Sequence, residues 1–260
     1  IVPAKPWGSI PYFSFIKKDN IKEHAQPLAK TFAKINKESA IRAQVKRTPA
    51  GPAMYINDRE IFPMFSKGTS LEKRFVTEYK ESGVHYHIPF WPYVGLQENG
   101  KCDFSEVDAI AAQTLSADPD ARMIFIVELN SKDFWDRLHP DDVTVFSDGT
   151  KGHQSLASKT WKEDFGSALE QFIRHINSSP YAKRVAGYMV EATKSEWQYW
   201  GCEDNKFADY SPSMRDAFIS WLKNKYNNDP KLLAKAWGVP GLDFDKVQIP
   251  SQAERQHKDF

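Results

Sequence analysis

In residues 187–201, GYMVEATKSEWQYWG, two glutamates and two tryptophans follow a short apolar run. A carboxylic acid can give its proton to a departing oxygen, and an ionised carboxylate can attack or stabilise the carbon left behind. Indole rings supply flat apolar faces on which a ligand ring can stack. These residue types therefore predict acid and base chemistry on a ring-shaped ligand.

Polar and aromatic side chains also follow two earlier apolar runs. Residues 85–92, HYHIPFWP, and 127–140, VELNSKDFWDRLHP, bring imidazole, carboxylate, amide and indole groups to the ends of predicted strands. In parallel α/β sheets, ligand-binding residues collect at the C-terminal ends of the strands. Glycosidic bond cleavage needs two carboxylates, amides and imidazoles bind hydroxyls, and indoles stack on sugar rings. The recurring set therefore favours a sugar site.

The two glutamates of the opening segment differ in their surroundings. Glu191 continues the strand alternation from Met189, so its side chain is expected to point inward, where a charge needs a partner. Substrate binding and a structural ion pair are both open for it. Glu196 lies past the strand and precedes Trp197, an apolar neighbour of the kind that raises a carboxyl pKa and suits a general acid. The plain alternative is an exposed loop glutamate.

Two histidines share one face of the second predicted strand, because strand side chains alternate with a period of two. His87 is a candidate ligand for a sugar hydroxyl, and a hydrogen-bonded core histidine is an equally good interpretation. His85 and His87 together allow the hypothesis of a metal-dependent α/β hydrolase, but no third ligand follows at a suitable spacing. We therefore predict no metal and no cofactor.

The remaining candidate ligand groups are an amide and several indoles. Asn130 follows the third predicted strand and is expected to bind a hydroxyl. The tryptophans predicted to form walls of the site are those near strand ends, namely Trp91, Trp135, Trp197 and Trp200. Trp221 and Trp237 instead fall on apolar faces of predicted helices, so we expect them in the core.

Strands and helices alternate along the chain. The predicted strands lie near 61–66, 84–91, 122–130 and 184–191, and the third is a continuous apolar run typical of a buried parallel strand. The spacing of apolar residues predicts helices in 22–37, 70–83, 103–119, 161–176, 212–226 and 229–238. Such alternation indicates βαβ units and a parallel sheet.

The number of units limits the architecture. A complete (β/α)8 TIM barrel needs eight units in roughly 250 residues, whereas this chain uses its length on about four. We therefore predict that residues 1–48 are a lead-in from a preceding domain and that residues 49–260 are the N-terminal part of a TIM-barrel catalytic domain. A doubly wound sheet is the alternative, although the glycine-rich first turn of a nucleotide site is missing. Because a half-barrel leaves unpaired edges, a second segment or chain should complete it.

Composition excludes several classes of partner. With 35 basic and 34 acidic side chains the formal net charge is +1, which favours neither nucleic acid nor an anionic membrane. No apolar segment approaches the roughly 20 residues of a membrane helix, and the first residues lack the regions of a signal peptide. We expect a soluble protein. Its location, for which the periplasm or secretion stays open, is unknown from the sequence.

Two segments carry a resemblance to a known family. Residues 179–201, SPYAKRVAGYMVEATKSEWQYWG, resemble the fourth-strand region of β-galactosidase-like glycoside hydrolases of clan A, family 42 in particular. Residues 214–238, MRDAFISWLKNKYNNDPKLLAKAWG, are similar to the helical segment that these enzymes carry after the acid. Weaker matches in the same order extend the resemblance over about residues 50–255.

The resemblance implies a retaining β-glycosidase that hydrolyses terminal β-hexosides by acid/base-assisted double displacement on a TIM barrel. Glu196 matches the general acid/base, with Glu191 as the second candidate, and Ser195 stands where the clan commonly has Asn. The nucleophilic glutamate follows strand seven, outside this segment. The implied sugar-binding residues are Glu191, His87, Trp91, Asn130, Trp135, Trp197 and Trp200. A homo-oligomer is a further implication. The rival hypothesis is a non-catalytic carbohydrate-binding or scaffold protein on a decayed or partial barrel.

Overall fold

The computed structural model describes residues 25–67, 73–89, 91–192, 202–203 and 206–256. Its first elements are α1 (Ala25–Asn36), β1 (Ala43–Thr48), β2 (Gly51–Ile56), β3 (Arg59–Ile61), β4 (Ser66–Lys67), α2 (Lys73–Glu81), β5 (Tyr86–Ile88), α3 (Ser105–Ala117) and β6 (Arg122–Glu128). The following ones are α4 (Asp133–Leu138), β7 (Val143–Val145), β8 (Lys151–Gln154), α5 (Lys159–Ser178), β9 (Val185–Glu191), β10 (Cys202–Glu203), β11 (Lys206–Phe207), α6 (Pro212–Lys225), α7 (Pro230–Trp237) and α8 (Gln252–Gln256).

Strands β1, β2 and β3 form an antiparallel sheet ahead of the parallel one. The β2–β3 turn places Asn57 and Asp58 at φ 50° and 65°, as a two-residue hairpin turn with positive φ at both central residues requires. The predicted strand at 61–66 is therefore wrong in its bounds, because β3 ends at Ile61 and the first parallel strand is Ser66–Lys67. Pro63 lies between them and has no N–H to donate to a sheet.

The parallel sheet has the order β4-β5-β6-β9 within the described residues. Ser66 pairs with His87, and Tyr86 with Arg122, both in parallel register. The strands predicted near 84–91, 122–130 and 184–191 are confirmed as β5, β6 and β9. Each strand is the sheet neighbour of the next one along the chain, which is the order of a barrel, whereas a doubly wound sheet reverses its order.

Burial differs between the middle and the last strand of this sheet. Met123 and Phe125 of β6 are fully buried, while Met189 and Val190 of β9 remain 37% and 50% exposed. A barrel strand has a neighbour on each side. Among the strands that the structure describes, β9 lies at one edge of the parallel sheet, and its exposed apolar residues are of the kind that a fifth strand would cover.

The chain divides into two compact units. The first takes in residues up to Tyr93, Asp103–Val127 and Ile173–Met189, and the second takes in Val94–Cys102, Glu128–Phe172 and Val190–Phe260. The domain boundary predicted after residue 48 falls at the β1–β2 turn, where Thr48 pairs with Gly51. That division of the sequence stays a prediction.

Helix α3 supplies much of the core of the first unit. Helices α1 and α2 pack against it, and its fully buried apolar residues are Val107, Ile110, Ala111 and Leu115. The spacing of these residues is that of one helical face. The predicted helix at 103–119 is thus confirmed, with the amphipathic pattern that identified it.

Helices α6 and α7 pack around a small core in the second unit, made of Leu222, Leu233, Phe244 and Val247. The Ser211 side chain caps α6, and Gly238 ends α7 at φ 66°. The expectation that Trp221 and Trp237 are core residues is wrong, since they are 53% and 38% exposed. Leu222 follows Trp221 directly and occupies the buried face, which turns the indole outward. No helix among the described residues has the length and apolar character needed to cross a membrane.

Candidate functional site

The C-terminal ends of β6 and β9 meet in the second unit. The Leu129 N–H donates to the Glu191 carbonyl at 2.7 Å. The Glu191 side chain is 8% exposed and that of Asn130 is 9% exposed, so both polar groups lie close to the protein interior. Their position is the sheet edge at which α/β proteins bind ligands.

A glutamine from the β7–β8 hairpin links these two strand ends. Gln154 is fully buried. Its Nε2 donates to Asn130 Oδ1 at 3.1 Å and to the Ala192 carbonyl at 2.9 Å. Its Oε1 accepts from the Ser131 N–H at 2.8 Å. We call Glu128, Asn130, Ser131, Gln154 and Ala192 the strand-end network.

Glu128 closes the network on the β6 side. Asn130 Nδ2 donates to Glu128 Oε1 at 3.2 Å, and Lys132 Nζ lies 3.1 Å from Glu128 Oε2. Both carboxylate oxygens therefore have a donor, one of them cationic. These two contacts hold the Glu128 side chain in one position at the strand end, where its oxygens can also accept a hydrogen bond from a ligand hydroxyl.

Ser131 connects the network to an acid-histidine pair. Its hydroxyl donates to Asp136 Oδ1 and accepts from the Gln154 N–H at 3.0 Å. His153 Nδ1 donates to the other Asp136 oxygen at 2.8 Å. This hydrogen bond raises the pKa of His153, against an opposing effect of burial. The positive charge of His153 is thus retained to a higher pH than that of a free imidazole.

The predicted acid lies outside the described residues, as do two of its predicted neighbours, Trp197 and Trp200. Glu196 belongs to residues 193–201, which begin directly after Ala192. The roles of Glu196, Trp197 and Trp200 stay predictions. The structure does describe Ala192, the residue directly before their segment.

His87 belongs to a second polar cluster, in the first unit. It is 1% exposed, and its ring lies between Ser66 Oγ at 2.6 Å from Nδ1 and Asp118 Oδ2 at 3.0 Å from Nε2. His85 Nδ1 lies 2.8 Å from the same Asp118 oxygen. Because a carboxylate only accepts, His87 Nε2 carries a proton and donates to Asp118, and in the neutral ring Nδ1 accepts from Ser66.

Asp118 is fully buried and follows α3, so it lies on the side of the sheet where the strands begin. Burial is the largest single influence and acts to raise the pKa of Asp118, but the hydrogen bonds from His87, His85 and the Asp120 N–H together hold the pKa below its usual range. In barrels this face serves stability rather than catalysis. The role of His87 in sugar binding stays a prediction, and a hydroxyl would have to replace one of its two protein partners.

Metal binding has little support in this cluster. Within the part of the chain that the structure describes, no group of three or more His, Cys, Asp or Glu side chains is arranged to hold a metal ion. His85 and His87 are both engaged by Asp118. The geometry of these two histidines therefore does not support the hypothesis of a metal-dependent hydrolase.

The two tryptophans near described strand ends differ in environment. Trp91 is partly exposed, with Lys67 Nζ 5.2 Å from its ring centroid. Trp135 is 2% exposed, and its indole N–H donates to Asp164 Oδ2 at 2.9 Å. Since Asp164 is on α5, Trp135 packs toward the helical layer. Both remain predicted walls of the site, and little of the Trp135 ring is open to a ligand.

Two cavities are lined by residues that do not belong to the strand-end network. One, of about 310 Å³, is bordered by Trp135 and Asp164 in the second unit. The other, of about 770 Å³, is bordered by Phe62, Met64 and Arg122 in the first unit, next to the starts of β5 and β6. The strand-end network carries the stronger functional argument, because it lies at the edge where barrels place their chemistry.

Gln154 and Asp118 are functional or structural residues that the sequence did not indicate. The Asp148-Gly149 pair predicts a hairpin turn there, and Gly149 does adopt φ 80°. Nothing in the local pattern places Gln154 beside Ala192, because the contact depends on the sheet. Asp118 lies in the last turn of the helix predicted at 103–119, and nothing in the local pattern places it beside His85 and His87.

The strand order, the crossover helices and the polar strand ends define the class of fold as a partial (β/α)8 barrel. The β-galactosidase from the psychrophilic Marinomonas ef1 is similar over 72% of this chain and 29% of its own, with TM-score 0.52 and 17% identity. The β-galactosidase from the Antarctic haloarchaeon Halorubrum lacusprofundi matches the same shares, 72% and 29%, with TM-score 0.53 and 20% identity.

A third structure widens the comparison. The catalytic domain of β-amylase from Paenibacillus polymyxa matches 72% of this chain and 53% of its own, with TM-score 0.52 and 13% identity. No family model and no curated protein matches the sequence. This chain spans about 29% of the length of the two β-galactosidases. The expected barrel fold is confirmed, and identities at this level carry the fold alone.

Proposed function

We propose that this chain contributes the N-terminal part of the catalytic barrel of a retaining β-glycosidase that hydrolyses terminal β-hexosides. Residues 49–260 would hold about the first four βα units. The likeness of the fold to two β-galactosidases supports this class of enzyme. The substrates in the names of those proteins make β-galactosides the first sugars to test.

The observation that carries the proposal is the strand-end network. Buried amide and carboxylate groups converge where β6 and β9 end, and the segment with Glu196 starts from Ala192, one member of the network. Burying such groups is costly unless each is paired. A barrel that keeps them at its reactive edge is thus well suited to bind a polar ligand such as a sugar.

Glu196 is the proposed general acid and base. In the first step it gives its proton to the glycosidic oxygen while a carboxylate from outside this chain segment attacks the anomeric carbon, which releases the leaving alcohol. In the second step ionised Glu196 takes a proton from water, whose oxygen displaces the enzyme carboxylate. Two inversions at one carbon give retention of configuration.

The remaining proposed roles are those of binding. Glu191, Asn130 and His87 would bind sugar hydroxyls, and Glu191 and Asn130 are supported by their burial at the strand ends. The proposed walls of the site are Trp91, Trp135, Trp197 and Trp200. No step calls for a metal or a cofactor, because the acid and the nucleophile are both carboxyl groups.

Completion of the barrel by a second segment or chain is part of the proposal. The exposure of Met189 and Val190 along β9 supports it, as does the greater length of the structural neighbours. The nucleophile would come from the added part. A homo-oligomer is compatible with this arrangement and rests on the family resemblance alone.

The proposal predicts turnover of simple aryl glycosides by the complete protein. We expect release of nitrophenol from nitrophenyl β-galactoside at a rate proportional to enzyme concentration and saturable in substrate. The α-anomer should be inert, since attack must come from the face opposite the leaving group. Saturable binding of β-galactosides without any turnover would instead support the non-catalytic carbohydrate-binding protein.

A further inference from the structure

The side-chain amide of Gln154 has one orientation only. Its Nε2 faces the Ala192 carbonyl at 2.9 Å and its Oε1 faces the Ser131 N–H at 2.8 Å. A backbone carbonyl can only accept and a backbone N–H can only donate. Flipping the amide would therefore break two hydrogen bonds in a fully buried site.

The orientation of the Gln154 amide also determines that of the Asn130 amide. Because Gln154 Nε2 donates to Asn130 Oδ1 at 3.1 Å, the Asn130 amide turns its Nδ2 toward Glu128 Oε1 at 3.2 Å. The donor end of Asn130 is thereby directed to the carboxylate at the end of β6. A free asparagine would present either end of its amide to a ligand.

Gln154 also holds the end of β9. The Ala192 carbonyl accepts from Gln154, and one residue earlier the Glu191 carbonyl accepts from the Leu129 N–H at 2.7 Å. These two hydrogen bonds hold the last residues before segment 193–201, Ala192 by Gln154 and Glu191 by the residue that follows β6. One buried side chain on a hairpin thus contacts both strand ends.

We infer that Gln154 is a positioning residue for the proposed glycosidase reaction, an inference that rests on the function proposed above. It sets the orientation of Asn130, which binds the sugar, and the point from which the segment with Glu196 departs. Gln154 itself touches neither the sugar nor the reacting atoms. Its effect through Asn130 is the same for every leaving group, whereas its effect through the position of Glu196 depends on how much acid assistance the leaving group needs.

Misplacing the acid has a recognisable kinetic signature. A displacement of about 1 Å can lower a rate about 100-fold. The loss of rate is confined to steps in which the acid must protonate the leaving group. Dinitrophenolate is a weak base and leaves without protonation, whereas phenolate is a stronger base and needs a proton from the acid. A side chain that only stabilises the fold lowers the rate on all leaving groups by the same factor.

The test compares Gln154→Met in the complete protein with Gln44→Met, a matched change at an exposed position of β1. We expect kcat/KM of Gln154→Met to fall about 10- to 100-fold on phenyl β-galactoside and far less on dinitrophenyl β-galactoside. Gln154→Glu, which places an oxygen against two acceptors, should show the same leaving-group dependence. Gln44→Met should behave as the wild type on both substrates.

Amide hydrogen exchange gives a readout that needs no activity. In Gln154→Met the Ser131 and Leu129 amides should exchange faster, while amides of α3 keep their wild-type rates. Unchanged exchange at Ser131, or an equal loss on both leaving groups in an active protein, overturns the inference and leaves the proposed function intact. A wild type that hydrolyses no glycoside overturns the proposed function, and the exchange data still decide whether Gln154 holds the strand ends.

Discussion

Replacing Glu196 by Gln in the complete protein is expected to lower kcat/KM for phenyl β-galactoside by a factor of about 100 to 10,000. Glutamine keeps the size of the side chain, but its amide protons are too weakly acidic to be transferred to the glycosidic oxygen and it cannot deprotonate water. For dinitrophenyl β-galactoside the first step survives, so the sugar accumulates on the enzyme and KM falls. Steady-state kinetics on the two substrates measures both effects.

The same experiment decides between the two candidate acids. Glu191→Gln should raise KM and lower kcat/KM by similar factors on both substrates, because a binding group serves every leaving group alike. Glu98→Gln, at a side chain that is 69% exposed, is the matched control and should retain wild-type kinetics. If Glu191→Gln shows the leaving-group dependence and Glu196→Gln does not, the roles are reversed.

Asp118→Asn is expected to lower the free energy of unfolding by about 2 to 3 kcal/mol at neutral pH. The Asp118 carboxylate is fully buried and accepts from His85, from His87 and from the Asp120 N–H at 3.0 Å. Asparagine keeps the shape, removes the charge and places an NH₂ group where donors already point. Urea unfolding of the complete protein gives the difference, with the exposed Asp216→Asn as control.

The pH dependence of this difference has a defined sign. Because the folded pKa of Asp118 lies below its usual range, its stabilisation is fully present above the unfolded pKa of about 3.9. The stabilisation is lost as the pH falls through the folded pKa. The difference in the free energy of unfolding between the wild type and Asp118→Asn should therefore decrease toward zero as the pH is lowered. A gap that is absent at pH 7, or that widens in acid, would contradict the assigned network.

The sequence predicts the repeating units well because their signals are local. The apolar run of β6 and the amphipathic pattern of α3 each lie within a single segment, and both elements occur as expected. The predicted strand at 61–66 begins too early, because EIFPMFS has the composition of a buried strand, whereas β4 begins at Ser66. The first residues of EIFPMFS, Glu60 and Ile61, instead belong to β3 and pair with β2 in an antiparallel sheet. The local sequence pattern does not show which strand a segment pairs with.

Side-chain roles are harder to predict because they depend on partners far along the chain. His87 is separated by 31 residues from Asp118, and Gln154 by 38 from Ala192. The period of two correctly places His85 and His87 on one side of the chain, where both contact Asp118, but it cannot show that a buried carboxylate lies there. Trp221 fits a helical apolar stripe, yet Leu222 fills the core and leaves the indole exposed.

Covalent trapping of the sugar tests the central claim most directly. A galactosyl fluoride with fluorine also at carbon 2 slows both steps, because the fluorine destabilises the positive charge of the transition state, while the fluoride leaving group needs little acid assistance. The complete protein should gain the mass of one fluorosugar, and peptide mapping should place it on a glutamate outside residues 1–260. A label on a residue of this chain, or a protein that turns over β-galactosides without ever accumulating the label, would contradict the account.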